Sequence, residues 1–395
     1  MKNIALLGAT GSIGTNALDV LRETKESFNP VLFSAHSNYK KLQEIKKQFP
    51  NALTALTDDK FINTPGEEKP GGIDFLGKEG LLSAIKTCKA DICLNGISGA
   101  EGLEPSLAAL EAGSHLALAN KESIVMAGEL IFSLAREKNL TVIPVDSEHM
   151  ALLKLVTAHG RENISELILT ASGGPFRDLS IDELKSVKPS DALNHPTWNM
   201  GPKITIDSAS LANKGLEIIE AAGYFNFPPE KIKVVIHPQS IIHSMVRLKD
   251  GAVYAQMSMP DMRLTIHEAL CWPNTEYSSF GSLDFNSLTL NFEKPDFEKF
   301  PMLNLAYTAL NGNALLPLVY NAANEEAVKA FMDEKIGFPE IPRIVNYVLK
   351  NEVFSSGMGY NVTGIKEVKK LLLMDIKARE LAEEYIDTGV HHDVN

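Results

Sequence analysis

The stretch Asn3-Ile-Ala-Leu-Leu-Gly8-Ala-Thr-Gly11-Ser-Ile-Gly14 places three glycines between a short apolar run and a helical pattern. Glycines at such a junction let the backbone approach a pyrophosphate group, and the first turn of the helix offers free N–H groups to it. The spacing is G-x-x-G-x-x-G instead of G-x-G-x-x-G, so a tight turn that binds nothing remains an alternative. The stretch predicts a dinucleotide site whose candidate residues are Gly8, Thr10, Gly11, Ser12, Ile13 and Gly14.

Apolar runs and helical patterns keep alternating up to about residue 145. Candidate strands are 3–7, 30–35, 91–94, 115–119 and 141–145, and the amphipathic segments among them are 14–22, 39–48, 103–112 and 128–138. Strands that alternate with helices indicate βαβ units. Residues 1–145 are therefore predicted to form an α/β, Rossmann-like domain with a doubly wound, mostly parallel sheet.

The pattern changes after residue 145. Strand candidates at 166–171 and 234–237 are followed by two runs that flank Asp250-Gly251, a dipeptide typical of a type I′ hairpin. Strands paired by a hairpin predict a central α+β catalytic domain over 146–272. A linker is expected over 273–301, and helical periods beyond it predict a C-terminal helical bundle over 302–395.

Segment 172–203 is long for a connection and rich in glycine and proline. Such a segment is either a functional lid or a disordered insert. Its tryptophan, Trp198, favours a mobile lid.

Composition narrows the class of protein. The 395 residues carry 38 Lys and Arg against 50 Asp and Glu, a net charge of −12, which argues against a nucleic-acid binder while leaving a local basic site open. The apolar runs fall far below the ~20 residues that span a bilayer. Three scattered cysteines suit a reducing compartment, and no targeting segment is expected before the first strand. We expect a cytoplasmic protein with neither nucleic-acid nor membrane partners.

The end of the second strand indicates which nicotinamide cofactor is used. The candidate residues there are Ala35, His36, Ser37 and Asn38. An acid at this place would bond a ribose 2′-hydroxyl and repel a 2′-phosphate, and none is present. The sequence therefore favours NADP(H) over NAD(H), although no arginine is present either.

Two further stretches carry acids and phosphate-binding groups. Asp146 and Glu148 follow a predicted strand, and if the chain stays extended both point the same way. Adjacent carboxylates favour a hard divalent cation, although two solvated acids with N-cap roles remain an alternative. A second set of residues suits a phosphate ester and a metal ion. Its hydroxyls, amide and lysine suit the phosphate, and its acid suits the metal: Ser172, Ser208, Asn213, Lys214 and Glu217. Lys214 and Glu217 fall on one side of a helix, as a plain surface ion pair also would.

Eight stretches resemble the 1-deoxy-D-xylulose 5-phosphate reductoisomerase family. They are Gly8–Gly14, Leu118-Ala-Asn-Lys-Glu-Ser123, Pro144-Val-Asp-Ser-Glu-His149, Ala171-Ser-Gly-Gly-Pro-Phe176, His195-Pro-Thr-Trp-Asn-Met-Gly201, Asn213-Lys-Gly-Leu-Glu217, Ile236-His-Pro-Gln-Ser240 and Asn321-Ala-Ala-Asn-Glu325. They follow the family's order over nearly the whole chain. Ser98 and Glu101 depart from the small apolar residues of many relatives, and the Ser37 position is basic in some of them.

The resemblance implies an NADPH-dependent enzyme of isoprenoid synthesis. It would rearrange and reduce 1-deoxy-D-xylulose 5-phosphate to 2-C-methyl-D-erythritol 4-phosphate with Mg²⁺, Mn²⁺ or Co²⁺, and it would be a homodimer. The implied metal ligands are Asp146, Glu148 and Glu217, which with Lys121, His149 and His195 form the catalytic set. The implied substrate ligands are Ser147, Glu148, Ser172, His195, Trp198, Ser208, Asn213, Lys214 and Glu217. Beyond the residues named above, the implied cofactor contacts are Asn120, Lys121, Glu122, Met200 and Gly201. His243 lies in a matching segment, and an ordinary hydrogen-bonded histidine is equally expected there.

Two rival functions account for less of the sequence. A semialdehyde dehydrogenase needs an acyl-accepting cysteine, and Cys88, Cys93 and Cys271 have no such setting. A nucleotide sensor that only keeps the fold has no need for three acids and a tryptophan lid.

Overall fold

A computed structural model describes residues 1–24, 26–62, 71–193, 201–286, 288–355 and 367–389. The chain forms two compact units. The first comprises Met1–Ile124, Glu129–Met150 and Asp261–Ser282, and the second comprises Val125–Gly128, Ala151–Pro260 and Leu283–Asn395.

The first unit contains a seven-stranded parallel sheet. Its strands are β1 (Lys2–Leu7), β2 (Phe28–Ala35), β3 (Leu53–Leu56), β4 (Phe75–Leu76), β5 (Ile92–Asn95), β6 (His115–Leu118) and β7 (Val142–Pro144). They lie in the order β4-β3-β2-β1-β5-β6-β7, and every pair is parallel. The order reverses at β1, whose neighbours are β2 and β5. In such sheets ligands bind beyond the carboxyl ends of the strands at the reversal, which is where the glycine-rich turn lies.

Helices connect these strands. They are α1 (Ser12–Glu23), α2 (Tyr39–Gln48), α3 (Gly77–Thr87), α4 (Leu103–Glu111) and α5 (Lys121–Glu137). The helix α6 (Ser147–His159) begins in this unit and continues in the second from Ala151. The doubly wound parallel sheet predicted from sequence is confirmed.

Some elements differ from the prediction. Strands β3 and β4 were not predicted, because they contain only four and two residues, and helix α3 was not predicted either. Helix α5 begins seven residues before the predicted start, because the Asn120 side chain caps it by accepting a hydrogen bond from Ser123 N at 2.7 Å. The predicted start at Gly128 directly follows a break at Ala127, whose φ of −147° is not helical.

The second unit contains a mixed sheet of four strands. They are β8 (Ile164–Ala171), β9 (Ile232–Ile236), β10 (Ile242–Leu248) and β11 (Val253–Met257), in the order β11-β10-β8-β9. The pair β8–β9 is parallel, and β10 is antiparallel to both of its neighbours. Strands paired in this way match the α+β character predicted for this part of the chain.

The predicted type I′ turn between β10 and β11 is wrong. Gly251 has a φ of +92°, whereas Asp250 is not among the residues with positive φ, and a type I′ turn needs both. Gly251 N donates to Leu248 O at 3.1 Å, and Leu248 N donates to Ala252 O at 2.8 Å. The connection is therefore a three-residue loop with glycine at the left-handed position.

Ten α-helices in the described chain follow α6. They are α7 (Ile181–Leu184), α8 (Pro189–Ala192), α9 (Pro202–Ala209), α10 (Ala212–Phe225), α11 (Met262–Cys271), α12 (Met302–Asn311), α13 (Leu316–Met332), α14 (Glu340–Lys350), α15 (Glu352–Ser355) and α16 (Val368–Thr388). Helix α13 contacts α9, α12, α14 and α16 within the second unit. The helices predicted for 302–395 therefore group with the residues of α9 and α10 and do not form a separate compact unit.

Helix α11 belongs to the first unit. It packs against α1, and Lys2 Nζ donates to the carbonyl oxygens of Leu270, Cys271 and Trp272 at 3.0–3.1 Å. A cation at the C-terminus of a helix is favoured by the free carbonyl groups there. Among the described residues, no helix is both long and apolar enough to cross a membrane.

Candidate active site

The glycine-rich turn lies at the end of β1. Gly8 has a φ of +78°, and a Cβ added there would lie 2.8 Å from the carbonyl oxygen of Gly96, which follows β5. Gly11 precedes α1 without a side-chain cap, and both Gly11 and Ser12 are exposed. The uncapped N–H groups and the absence of side chains fit a dinucleotide pyrophosphate.

The end of β2 offers polar groups beside this turn. Ala35 is buried, whereas His36, Ser37 and Asn38 are exposed. Asn38 caps α2, since its Oδ1 accepts a hydrogen bond from Lys41 N at 3.2 Å. His36 Nδ1 lies 3.1 Å from Thr57 Oγ1. The described strand end thus offers no acid to repel a 2′-phosphate.

Asn120 joins the loops that follow β5 and β6. Its Nδ2 donates to Ile97 O at 2.6 Å and to Gly99 O at 2.9 Å, and it lies 3.1 Å from Glu122 Oε2. Asn120 is buried. Asn120 therefore contacts Glu122 and holds the loop after β5 in place.

Asp146 organises the start of α6. Its Oδ1 accepts hydrogen bonds from Glu148 N at 3.1 Å and His149 N at 3.2 Å, while its Oδ2 accepts from Lys121 Nζ at 2.5 Å. His149 is buried with Nδ1 3.3 Å from Asp146 Oδ1. Ser147 Oγ donates to Glu148 Oε2.

The extended geometry expected for residues 146–148 is wrong. Strand β7 ends at Pro144, and a helix begins at Ser147. The alternative N-cap role is found for Asp146, because a carboxylate at that place satisfies free N–H groups of the first turn.

The Ser172 turn and helix α9 meet in the second unit. Gly174 has a φ of +69°, and a Cβ there would lie 2.6 Å from Ser208 O, so only glycine permits this approach. Gly174 N donates to Ser172 Oγ at 3.2 Å. The structure therefore brings Ser172 close to Ser208, which lies on α9.

Helix α10 presents three predicted residues on one side. Glu217 Oε1 accepts from Asn213 Nδ2 at 2.6 Å, and Glu217 Oε2 accepts from Lys214 Nζ. Lys214 and Glu217 are 3% and 1% exposed, so they form a buried ion pair and not the surface pair that remained an alternative. A buried carboxylate is tolerated when it is paired in this way.

Three carboxylates converge. One oxygen each from Asp146, Glu148 and Glu217 lies within 4.8 Å of the others. Like charges at this separation repel unless a cation or a proton lies between them. Three oxygen donors suit Mg²⁺ or Mn²⁺, which keep water molecules in their remaining coordination positions. The donor set therefore fits a divalent metal ion.

The structure describes only some of the remaining predicted residues. His195, Trp198 and Met200 fall outside the described residues. Gly201 precedes α9 as its N-cap residue. His243 is buried on β10 with Nε2 2.9 Å from Ser258 Oγ.

The cysteines are all free and buried. Burial raises the pKa of the thiols of Cys88 and Cys93, and it raises the pKa of Cys271 to about 11. A thiol that remains protonated is a poor nucleophile, which argues against the acyl-transfer alternative.

Sequence reasoning missed a network behind α9. Asp207 Oδ1 accepts from Asn324 Nδ2 at 2.7 Å, and Asp207 Oδ2 pairs with Lys203 Nζ at 3.0 Å. Glu325 pairs with Arg379 at 2.6 Å. Burial alone would raise the pKa of Glu325, but Lys203 and Arg379 outweigh it and lower that pKa. The Asn321–Glu325 motif carried the signal, because polar residues repeated within a helix that is otherwise apolar indicate buried hydrogen bonds.

Three sequence models of one family cover most of the chain. Residues 4–128 match "1-deoxy-D-xylulose 5-phosphate reductoisomerase", residues 142–225 match its C-terminal domain, and residues 257–381 match "DXP reductoisomerase C-terminal domain". The chain belongs to the 1-deoxy-D-xylulose 5-phosphate reductoisomerase family. The resemblance inferred from the eight motifs is confirmed.

Named relatives align with this chain over most of its length. The 1-deoxy-D-xylulose 5-phosphate reductoisomerase of Pelodictyon phaeoclathratiforme is 44% identical over 391 residues, covering 98% of this chain and 100% of the relative. That of Clostridium acetobutylicum is 46% identical over 356 residues, covering 89% and 92%.

Solved structures of the reductoisomerase family share the fold. One described as a complex of DOX-P reductoisomerase with NADPH, fosmidomycin and magnesium has a TM-score of 0.93 at 36% identity and covers 100% of both chains. The enzyme of Zymomonas mobilis in complex with NADPH has a TM-score of 0.86 at 39% identity, covering 98% of this chain and 99% of its own.

Proposed function

We infer that the protein converts 1-deoxy-D-xylulose 5-phosphate and NADPH into 2-C-methyl-D-erythritol 4-phosphate in a reaction that requires a divalent metal ion. Membership of the family supports the reaction. The observation that carries the proposal in this chain is the set of three carboxylates within 4.8 Å of one another, with Lys121 and Lys214 bonded to two of them.

The proposed metal ligands are Asp146, Glu148 and Glu217. When bound, the divalent ion supplies a Lewis acid for the ketone and NADPH supplies a hydride. Lys121 fixes the Asp146 carboxylate, and Asn213 and Lys214 fix that of Glu217. Partners of this kind orient metal ligands and tune their basicity.

The proposed phosphate ligands are Ser172, Ser208, Asn213 and Lys214. Contact between the Ser172 turn and α9 supports this assignment. Binding the phosphate anchors the end of the substrate that does not react, so that its binding energy orients the reacting atoms. Ser147, His195 and Trp198 complete the proposed substrate site. His149 contacts the Asp146 carboxylate through its backbone N–H and its ring, and it thereby helps to orient this proposed metal ligand.

The proposed reaction has two parts. The C3–C4 bond breaks and the skeleton rejoins through C2, by retro-aldol and aldol steps or by a direct ketol shift, and the branched aldehyde is then reduced. A lid over 172–203 excludes water from the intermediate.

The proposed division of roles follows the sequence. Residues 1–145 bind NADPH, residues within 146–260 bind metal and substrate, and the helices after Pro301 support α9 and α10. The cofactor contacts are the glycine turn, the end of β2 and the junction before α5, with Met200 and Gly201 beside the nicotinamide.

We also propose that the protein is a homodimer in the cytoplasm. Strand β11 is an edge strand on which Val253 and Tyr254 are both 44% exposed. An edge strand with exposed apolar side chains is a template for pairing with a second chain. Three free, buried cysteines fit a reducing compartment.

The identity of the product tests the proposed function. The purified protein is incubated with 1-deoxy-D-xylulose 5-phosphate, Mg²⁺ and NADPH, and the product is analysed by carbon-13 NMR. We expect a branched tetrol phosphate that bears a methyl group on a quaternary carbon. An unbranched polyol phosphate, or no product at all, would contradict the proposal.

A further inference from the structure

The described end of β2 does not by itself account for a preference for NADPH. NADPH differs from NADH by a phosphate on the adenosine ribose, which lies at the end of this strand in folds of this type. Of the three exposed residues there, only His36 can carry a positive charge, and Asn38 uses its amide oxygen to cap α2. A phosphate dianion at this place calls for a further cation.

Lys41 brings a cation to this place from the first turn of α2. Its Nζ donates to Thr10 O at 3.2 Å and to Thr15 Oγ1 at 2.9 Å. Thr10 lies in the glycine-rich turn, and Thr15 lies in the first turns of α1. The ammonium group is therefore held at the glycine-rich turn, where the pyrophosphate is expected to bind. The first turn of α2, which carries Lys41, directly follows the end of β2, where the adenosine ribose is expected.

The charge of Lys41 is available to an anion. Both of its hydrogen-bond partners are neutral, and in the described part of the chain no carboxylate forms an ion pair with it. Two of the acids between β3 and β4 have lysine partners of their own: Asp58 pairs with Lys60 at 2.5 Å, and Asp74 pairs with Lys46 at 3.2 Å. An ammonium group has three donors, so one remains for a phosphate oxygen.

We propose that Lys41 is the residue that selects NADPH over NADH, by donating a charged hydrogen bond to the 2′-phosphate, with His36 on the other side of that group. Lys41 thereby supplies the cation that Ser37, at the end of β2, does not. The inference rests on NADPH as the cofactor of the proposed function.

Cofactor binding to the substrate-free protein tests this proposal without a catalytic assay. Dissociation constants for NADPH and NADH are measured by fluorescence titration for the wild type, Lys41→Met, Lys41→Arg and Lys40→Met. Lys40 is the matched control, because it is an exposed lysine on the same helix turn. A charged hydrogen bond corresponds to a loss of about 10- to 100-fold in affinity.

We expect Lys41→Met to weaken NADPH by that factor and NADH by less than about 2-fold, with Lys41→Arg and Lys40→Met close to the wild type. An equal loss for both cofactors would show that Lys41 only supports the glycine turn, and it would overturn the proposal. An NADPH preference that survives in Lys41→Met would overturn it as well. A wild type without any preference would instead contradict NADPH as the cofactor, and this result is obtained before any variant is made.

Discussion

Glu217 places a carboxyl group in the protein interior, where the residue is only 1% exposed. An unpaired carboxylate in a protein interior is costly, and Asn213 and Lys214 both donate to this one. One oxygen each of Asp146 and Glu148 lies within 4.8 Å of this carboxylate, and like charges at such a separation repel. A bound cation explains why three acids are kept so close together.

Replacing Glu217 with glutamine removes one anionic ligand while keeping the shape of the side chain. We expect kcat to fall at least about 100-fold, because loss of a ligand should exceed the 10- to 100-fold effect of a partner behind one. The dissociation constant for NADPH should stay within about 2-fold of the wild type. The exposed Glu230 provides the control, since Glu230→Gln should change neither quantity. A comparable loss of NADPH affinity in Glu217→Gln would argue against its role as a metal ligand.

Residue types at the site could be predicted from the sequence better than their geometry. The acids, hydroxyls and lysine were recognised because each type suits one chemical task. The extended arrangement of Asp146 and Glu148 was wrong, because the helix after β7 begins immediately at Ser147. Asp146 fits both interpretations of the sequence, because an aspartate after a strand can be a metal ligand or the N-cap residue of the next helix.

Helices α9 and α10 owe their positions to α13. Asn324 and Asp207, both buried, join α13 to α9 at 2.7 Å. Tyr320 of α13 lies against α10, where a Cβ added to Gly215 would collide with its hydroxyl group. Burial and the nearby Asp207 raise the pKa of Tyr320 well above its ordinary value, so the hydroxyl remains a donor. The helix behind the site thus holds both helices that carry the proposed phosphate ligands.

Asn324→Leu should therefore affect both stability and substrate binding. The variant removes the hydrogen bond from Asn324 to the buried carboxylate of Asp207. Such a loss lowers the free energy of unfolding by about 1–3 kcal/mol, and the urea midpoint of unfolding falls with it. We also expect KM for 1-deoxy-D-xylulose 5-phosphate to rise, because α9 carries Ser208. Asn304→Leu, at an exposed position on α12, should change stability by less than about 0.5 kcal/mol. An unchanged midpoint for Asn324→Leu would contradict the anchoring role of Asn324.

Helix α2, with a long amphipathic pattern, was predicted well. Short strands, whose formation depends on tertiary contacts, were predicted poorly. Helix α2 was predicted with its observed bounds, Tyr39–Gln48. Strands β3 and β4 are too short to show a period, and they are specified by the pairing of β3 with β2 and of β4 with β3. The Asp250-Gly251 loop shows that the same dipeptide serves a type I′ turn or a longer loop, depending on strand register.

At the scale of the whole molecule, sequence order and spatial grouping differ. Asp261–Ser282 returns to the first unit after the second has begun, although the prediction placed its first part in the catalytic domain. Lys2, at the start of the chain, donates to the end of α11 at the other side of that gap. Contacts between residues about 270 positions apart leave no local pattern, so the sequence alone could not predict this grouping.

Metal dependence tests the central claim most directly, because one reaction requires both the three-carboxylate site and the NADPH site. Protein freed of divalent ions with a chelator is mixed with NADPH and 1-deoxy-D-xylulose 5-phosphate, and the loss of NADPH absorbance is followed before and after Mg²⁺ is added. We expect no oxidation before the addition and rapid oxidation after it, with no recovery in Glu217→Gln. NADPH oxidation at the same rate without metal, or none with it, would contradict the account.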